Sequence, residues 1–248
     1  MKMQKSFILL SVILFSLSCQ KVPITGRKQV HVIPESEMVS LALTQYQETL
    51  KQSKVISGTA EANMVNTVGQ KISAAAVSLM KQLNQSDRLQ GYAWEYHLLE
   101  NNVPNAWCLP GGKIAVYSGL LPITQTEAGL AVVMGHEVGH AIAQHGNERM
   151  SQQLAAELGG VGLSVALSSK PQQTQDIFQA AYGYGAQYGA LLPFSRTQES
   201  EADKIGLVLM AIAGYDPNEA VALWQRMKQA TSSAGTVPEF MSTHPSDQ

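Results

Sequence analysis

The sequence has few cysteines and no excess of charge of either sign. It contains two cysteines, Cys19 and Cys108, which excludes the disulfide framework of a small secreted domain and leaves stability to a hydrophobic core. Cys108 is expected to be a small buried apolar residue. Seventeen basic and nineteen acidic residues give a formal charge of −2. A basic surface that would bind a phosphate backbone is not predicted, so nucleic acid is not expected as a partner.

One long apolar run is present, and it lies at the N-terminus. Lys2 and Lys5 precede an apolar run over residues 7–17, which is too short to span a membrane stably. This pattern predicts a signal peptide over residues 1–18. The cysteine that follows directly is similar to that of a bacterial lipoprotein signal, in which Cys19 would carry the lipid. Plain cleavage near Ser18 is the alternative.

The next part of the chain divides into a tether, two helices and a small sheet. Residues 19–34 mix proline, glycine and basic residues without helical periodicity, which predicts a tether leading to a domain over 35–248. Apolar spacings of three and four predict helices over 35–51 and 59–83. Aromatic and β-branched residues predict two or three strands within 92–119.

Two capping patterns predict the helices of the second half. Thr124–Glu127 has the form of a capping box and predicts one continuous helix over about 125–156. Ser195–Gln198 has the same form and predicts a helix that continues to Ala213. Asp216-Pro217 predicts the start of another. Residues 159–192 are rich in small residues and favour closely packed helices, with a flap over a site as the alternative.

A metal-binding pattern lies in the first of these helices. His136-Glu137-Val138-Gly139-His140 places two histidines four apart, so that on a helix both imidazoles reach one ion from the same face. Glu137 is displaced by one position and can reach a water molecule beside the ion. A hydrolytic zinc site needs this arrangement of neutral imidazoles and a neighbouring carboxylate.

The third ligand has to come from another helix. On a continuous helix His145 points about 140° away from the ligand face, so it is not expected to be a ligand. Glu199 is the best candidate, because Asp203 follows four residues later on the same face and could accept a hydrogen bond from a ligating histidine. Glu201 is the competing choice and points to the opposite side of this helix. His97, alone in a predicted strand, is expected to be a packing or surface residue.

Four motifs together carry a family resemblance. HEVGHAIAQHGNER, FSRTQESEADKIG, NAWCLPGGKIAVYSGLL and STHP resemble the zinc metalloendopeptidase family of the HtpX, BepA and CAAX-prenyl-protease type, in particular its lipoprotein quality-control branch, which is related to the mitochondrial Oma peptidases. The resemblance implies an α+β fold, a mainly helical zincin-like domain with a small β-sheet whose edge strand binds substrate. It implies one Zn²⁺ per chain, with His136, His140 and Glu199 as ligands, Glu137 as general base and Asp203 as partner of a ligating histidine.

The same resemblance extends to two further parts of the chain. The segment Asn105–Tyr117, with Gly111 and Gly112, is similar to the family's edge strand, beside which a substrate peptide lies extended. A plain core strand is the alternative. His244, in the motif STHP, is similar to a histidine near the zinc that keeps the enzyme latent or stabilises the oxyanion.

These observations predict a zinc-dependent endopeptidase that hydrolyses misfolded or misassembled proteins of the cell envelope. The expected location is a bacterial cell envelope, with the chain anchored by lipid at Cys19, facing the periplasm, at the outer membrane. Unfolded proteins and the membrane are the expected partners, and the sequence predicts no oligomeric state. The alternative is a zinc-stabilised, normally latent chaperone or assembly factor.

Overall fold

Helices dominate a fold that also contains a small sheet, as expected for the α+β class. The computed structural model describes residues 19–157, 172, 174, 176, 195–234, 240 and 244. The strands are β1 (Cys19–Lys21), β2 (Lys28–Val30), β3 (Val55–Ile56), β4 (Glu95–Leu99), β5 (Ala106–Leu109) and β6 (Lys113–Tyr117). The α-helices are α1 (Glu35–Gln52), α2 (Ala60–Gln82), α3 (Leu121–Thr124), α4 (Glu127–Ala143), α5 (His145–Glu157), α6 (Arg196–Ile212) and α7 (Glu219–Ala234).

Helix α4 forms the centre of the hydrophobic core, and its residues from Gly129 to Ala143 are all buried. It packs very closely against α6. A Cβ atom added to Gly139 would lie 2.8 Å from the carbonyl oxygen of Ala202, and one added to Gly135 would lie 3.0 Å from that of Gly206. Small residues at this crossing therefore let the two helix backbones approach, which brings the acidic face of α6 to the histidines of α4.

The main sheet has the strand order β3-β4-β6-β5. Strands β4 and β6 are parallel, whereas β5 runs antiparallel to β6 with Cys108 opposite Ile114. The segment Asn105–Tyr117, which was expected to form the edge, contains both β5 and β6. Strand β5 lies at the edge of the sheet, whereas β6 lies inside it. Strand β5 also packs on α4, the helix that carries the metal-binding pattern.

The start of α4 differs from the expectation by two residues. Thr126, not Thr124, is the N-cap, and its hydroxyl accepts a hydrogen bond from the backbone N–H of Gly129 at 3.0 Å. Thr124 instead ends the short helix α3. The capping box at Ser195 is confirmed, since Ser195 and Gln198 exchange two hydrogen bonds at the start of α6.

The expected continuous helix is wrong, because the chain breaks between α4 and α5. Gln144 adopts a left-handed conformation with φ of 61°. The last three carbonyls of α4 accept hydrogen bonds from Tyr92 at 3.1 Å, Arg88 at 3.3 Å and Gln29 at 2.7 Å. These donors come from distant parts of the chain and satisfy carbonyls that a helix end would leave unpaired. The break is therefore stabilised by tertiary contacts that local periodicity does not encode.

The expected tether packs onto the domain instead of running free. Strands β1 and β2 form a hairpin with Cys19 opposite Val30, and Val22 is fully buried in the core. The division into residues 1–18, 19–34 and 35–248 stays a prediction. Residues 1–18 lie outside the described residues, as does most of the segment 159–192. Among the residues that the structure describes, no helix is long and apolar enough to cross a membrane.

Two smaller predictions are confirmed. Cys108 is a buried free thiol. The imidazole of His97 packs beside Tyr46, whose hydroxyl lies 2.5 Å from its Nδ1 atom, so this strand histidine is a packing residue.

Candidate metal centre

Two helices bring three side chains to one point in the core. His136 and His140 lie one turn apart on α4, and their Nε2 atoms are 3.0 Å apart. The Glu199 carboxylate on α6 reaches them from the opposite side, at 3.3 Å from each Nε2 atom. All three residues are buried, with at most 4% of each exposed. The structure thus brings the three predicted ligands together.

The distances and the donor types fit a zinc ion. A tetrahedral Zn²⁺ ion with bonds of about 2.0–2.1 Å holds its donor atoms about 3.3 Å apart. The donor atoms of His136, His140 and Glu199 are separated by 3.0 to 3.3 Å. Two imidazoles and one carboxylate also form a donor set typical of catalytic zinc. The geometry therefore accommodates one ion between the two helices.

His244 stands where a fourth donor would lie. Its Nδ1 atom is 3.2 Å from Nε2 of His136 and 3.1 Å from Oε1 of Glu199. Its ring stacks on Phe240 with centroids 4.6 Å apart, and its backbone N–H donates to the Phe240 carbonyl at 3.0 Å. The four possible ligands are His136, His140, Glu199 and His244. One ligand atom from each lies within 4.8 Å of the others.

The electrostatics of this group favour a positive charge at its centre. Burial lowers the pKa of His140 well below its usual range, so its imidazole is neutral, as a metal ligand must be. Burial also acts to lower the pKa of His136, but hydrogen bonds with Asp203 and Glu199 raise it to about 10. The pKa of Glu199 is lowered in spite of burial by its contacts with the histidines. A cation is thus stabilised among these side chains.

Glu137 faces the same point from α4. Burial raises the pKa of its carboxyl group, and the charge of His244 counteracts this effect. Its Oε1 atom is buried without a hydrogen-bond partner in the described part of the structure, and lies 3.4 Å from Nε2 of His244. Because a buried carboxylate oxygen is rarely left unpaired, this atom fits a role as acceptor for a water molecule or a reacting group.

Each histidine on α4 is oriented through its second ring nitrogen. Nδ1 of His136 lies 2.8 Å from Oδ1 of Asp203, as the four-residue spacing after Glu199 predicted. Nδ1 of His140 lies 2.9 Å from Nδ1 of His145, and Nε2 of His145 lies 3.1 Å from Glu201. The contact between His140 and His145 was missed from the sequence, because it depends on the helix break at Gln144. Glu201 points away from the donor atoms, as expected.

The residues predicted for the substrate edge lie on both sides of strand β5. Asn105 is buried, and its side-chain oxygen accepts a hydrogen bond from the Ala106 N–H at 2.8 Å. Gly111 and Gly112 form the turn to β6 with φ of +84° and +78°, where a side chain would be strained. Between them, the backbone of Cys108 hydrogen-bonds to the Glu137 carboxylate and acts to lower its pKa. The edge of β5 therefore borders the candidate centre.

Comparison with known families agrees with this geometry. The sequence profile of peptidase family M48 matches residues 38–248, which contain every side chain of the centre. The chain belongs to peptidase family M48. The family relation expected from the motifs is thereby confirmed, and the M48 profile spans both α4 and α6.

Relatives of this M48 chain include mitochondrial and bacterial proteins. It is 38% identical over 170 residues to the mitochondrial metalloendopeptidase OMA1 of Schizosaccharomyces pombe, which covers 68% of this chain and 48% of that protein. It is 28% identical over 248 residues to human mitochondrial OMA1, covering 97% of this chain and 46% of that protein. It is 29% identical over 184 residues to the β-barrel assembly-enhancing protease of Yersinia pestis, covering 73% and 35%. The chain thus spans about half or less of each relative's length.

These relatives overturn one prediction about this M48 chain. A bacterial outer-membrane location was expected from the N-terminal pattern. The OMA1 relatives are mitochondrial proteins, and the bacterial protease of Yersinia pestis is less similar to this chain than the Schizosaccharomyces pombe protein. The expected location is therefore wrong, because a short apolar run followed by a cysteine is a local pattern that does not identify a compartment.

Proposed function

We propose that the chain is a zinc-dependent endopeptidase. The observation that carries the proposal is the buried Oε1 atom of Glu137, which has no hydrogen-bond partner among the described residues and lies beside the donor residues His136, His140 and Glu199. A purely structural metal site is closed by its ligands and needs no such neighbouring carboxylate. Membership of peptidase family M48 supports the same reaction class.

In this proposal His136, His140 and Glu199 would hold the ion. Zn²⁺, when bound, would supply a Lewis acid that lowers the pKa of water and polarises a carbonyl group. Glu137 accepts a proton from the attacking water at Oε1 and later returns it to the nitrogen of the leaving amine. The buried position of Glu137 raises its pKa, which makes its carboxylate a stronger acceptor for the proton of the water molecule.

We further propose that the substrate lies extended along the outer edge of β5. Tyr117 and Gly112 donate backbone hydrogen bonds to the carbonyls of Asn105 and Leu109, so these residues turn their backbone groups towards β6. Because backbone groups alternate in direction along a strand, those of Ala106 and Cys108 point away from β6. The Ala106 N–H donates to Asn105 and the Cys108 backbone bonds to Glu137, so a peptide would pair with the carbonyl groups of this edge. An extended peptide could pair there beside Glu137. Unfolded or misassembled proteins offer such segments, and these are the proposed substrates.

His244 supports a latent state of this enzyme. Its Nδ1 atom takes the place of a fourth donor, where a water molecule would otherwise lie. A second candidate function follows from the same contact: a zinc-stabilised chaperone or assembly factor whose closed site acts by holding its clients. The two functions differ in whether the Glu137 carboxylate is required.

Attachment to a membrane through a lipid on Cys19 also stays a proposal. It is supported by the apolar run before Cys19 and by strand β1, which begins at this residue and would place the anchor directly beside the domain. Mass spectrometry of the purified mature protein tests it. A mass increase that is lost in Cys19→Ser is expected, and an unmodified N-terminus upstream of Cys19 would contradict it.

The test of the proposed reaction uses a denatured protein such as casein. Metal-replete chain is expected to cleave it, chelation should abolish cleavage, and zinc added back should restore it. Complementation then separates the two functions. A chaperone keeps its cellular role when Glu137 is replaced by Gln, whereas a peptidase loses it.

A further inference from the structure

Arg27 lies on the hairpin between β1 and β2, far in the sequence from the metal-binding pattern. It is nevertheless connected to His140 by hydrogen bonds through Glu201 and His145. We propose that Arg27 is a positioning residue of the metal centre, which acts on His140 through Glu201 and His145. This inference rests on the proposed function and deepens it. It assigns a role to a segment that sequence reasoning interpreted as a tether.

The first step is the contact between the two histidines. If His140 binds the ion through Nε2, its Nδ1 atom carries the proton and donates to Nδ1 of His145 at 2.9 Å. His145 then has to carry its own proton on Nε2, which donates to Oε2 of Glu201 at 3.1 Å. Each hydrogen bond in the series from His140 through His145 to Glu201 then has one donor and one acceptor. The arrangement therefore selects the tautomer that leaves Nε2 of His140 available to the ion.

The second step is the position of Glu201. Nε of Arg27 donates to both oxygens of this carboxylate at 3.0 Å, and the hydroxyl of Thr25 donates to Oε1 at 2.7 Å. The two nitrogens at the end of Arg27 donate to Glu148 at 2.6 and 2.7 Å. One guanidinium group thus joins two carboxylates in the planar geometry that favours arginine over lysine.

The third step is burial, which makes Arg27 necessary to this arrangement. Glu148 and Glu201 are 4% and 3% exposed. Two carboxylates buried side by side repel each other and are strongly destabilised without a cation. Loss of Arg27 would therefore displace Glu201, and His145 would lose the acceptor that fixes its ring.

His136 offers a comparison within the same site. Its Nδ1 atom contacts Asp203 directly at 2.8 Å, with no intermediate residue. His140 reaches a carboxylate of the same helix, Glu201, through His145, and the hairpin holds Glu201 from its other side. Both imidazoles are thus oriented by a carboxylate on α6, and only the second depends on residues 25–27.

The experiment measures the affinity of the full chain for Zn²⁺ by competition with a chromophoric chelator. Arg27→Gln is compared with Arg226→Gln, because the two arginines have similar side-chain exposure, 28% and 22%, and each forms a salt bridge. Arg226 contacts Glu219 and two carbonyls of α3, not His145. Arg27→Gln is expected to weaken zinc binding about 10-fold, the lower end of the range for residues that orient metal ligands. Arg226→Gln should leave zinc binding unchanged.

A double-mutant cycle tests the route through His145. His145→Asn places a polar group near the position of Nδ1, but it cannot reach Glu201. In this background Arg27→Gln is expected to have no further effect on zinc affinity, since the connection is already interrupted. A full 10-fold effect in both backgrounds would overturn the route.

A merely structural role predicts a different pattern. In that case Arg27→Gln lowers the melting temperature of the metal-free chain, and its zinc dissociation constant equals that of Arg226→Gln. This result would overturn the proposal. Arg27→Lys keeps the charge without the planar contact and should fall between wild type and Arg27→Gln. If neither Arg27 variant folds without metal, the residue is structural and the proposal fails. Wild-type chain that binds no zinc would contradict the metal centre itself.

Discussion

The Nδ1 atom of His244 lies 3.1 Å from Oε1 of Glu199, which joins the C-terminal part of the chain to the centre formed by α4 and α6. The same ring stacks on Phe240. An imidazole in this position would compete with water and substrate for access to Glu137. The proposed peptidase is therefore expected to be closed by its own chain in its resting state.

Replacement of His244 by Ala is expected to raise the rate of casein cleavage. Removing the ring opens the fourth donor position, and an increase of about 10-fold corresponds to ~1.4 kcal/mol between closed and open states. Steady-state rates of the two zinc-loaded proteins give the measurement. A rate that falls would instead assign His244 to oxyanion stabilisation.

Replacing each of the two glutamates of α6, Glu199 and Glu201, by Gln is expected to give proteins that differ in zinc content. Glu199→Gln removes a donor that lies 3.3 Å from both Nε2 atoms, so stoichiometric zinc should be lost after dialysis. Glu201→Gln should retain zinc with weaker affinity, because Glu201 contacts His145 and not the donor atoms. Metal analysis of the two proteins decides this. Full zinc in Glu199→Gln together with none in Glu201→Gln would reverse the ligand assignment.

Gly139→Ala is expected to destabilise the domain, although alanine favours helices over glycine by about 1 kcal/mol. The added Cβ would lie 2.8 Å from the Ala202 carbonyl and would push α4 and α6 apart. Overpacking of this kind costs about 1–3 kcal/mol. Denaturant unfolding of the metal-free protein measures the effect. An unchanged or higher midpoint would show that the close crossing of the helices is not needed.

His31 is expected to make stability depend on pH. Burial lowers its pKa from 6.5 to about 4, and its Nε2 atom has no partner in the described structure. The unfolded chain therefore binds a proton more strongly than the folded chain does. Stability is fully present above pH 6.5 and is lost as the pH falls towards 4. In His31→Gln this part of the pH dependence should disappear from the unfolding free energy, and identical profiles for both proteins would rule out the effect.

The sequence predicts the ligand set better than the contacts that orient it. His136, His140 and Glu199 could be predicted from the sequence, because residues spaced four apart lie on the same face of a helix. The contact of His145 could not, since its position depends on the break at Gln144, which is stabilised by residues far away in the chain. Arg27 was missed for the same reason. Local patterns identify faces of helices, whereas contacts between distant segments need the folded chain.

The central claim is that Glu137 transfers the proton in peptide hydrolysis. The most direct test is the rate of casein cleavage by zinc-loaded Glu137→Gln, with metal analysis to verify that the ion is retained. Since Gln cannot accept the proton, the rate is expected to fall by about 10²–10⁴-fold at unchanged zinc content. Cleavage as fast as that of the wild type, with the zinc still bound, would contradict the account.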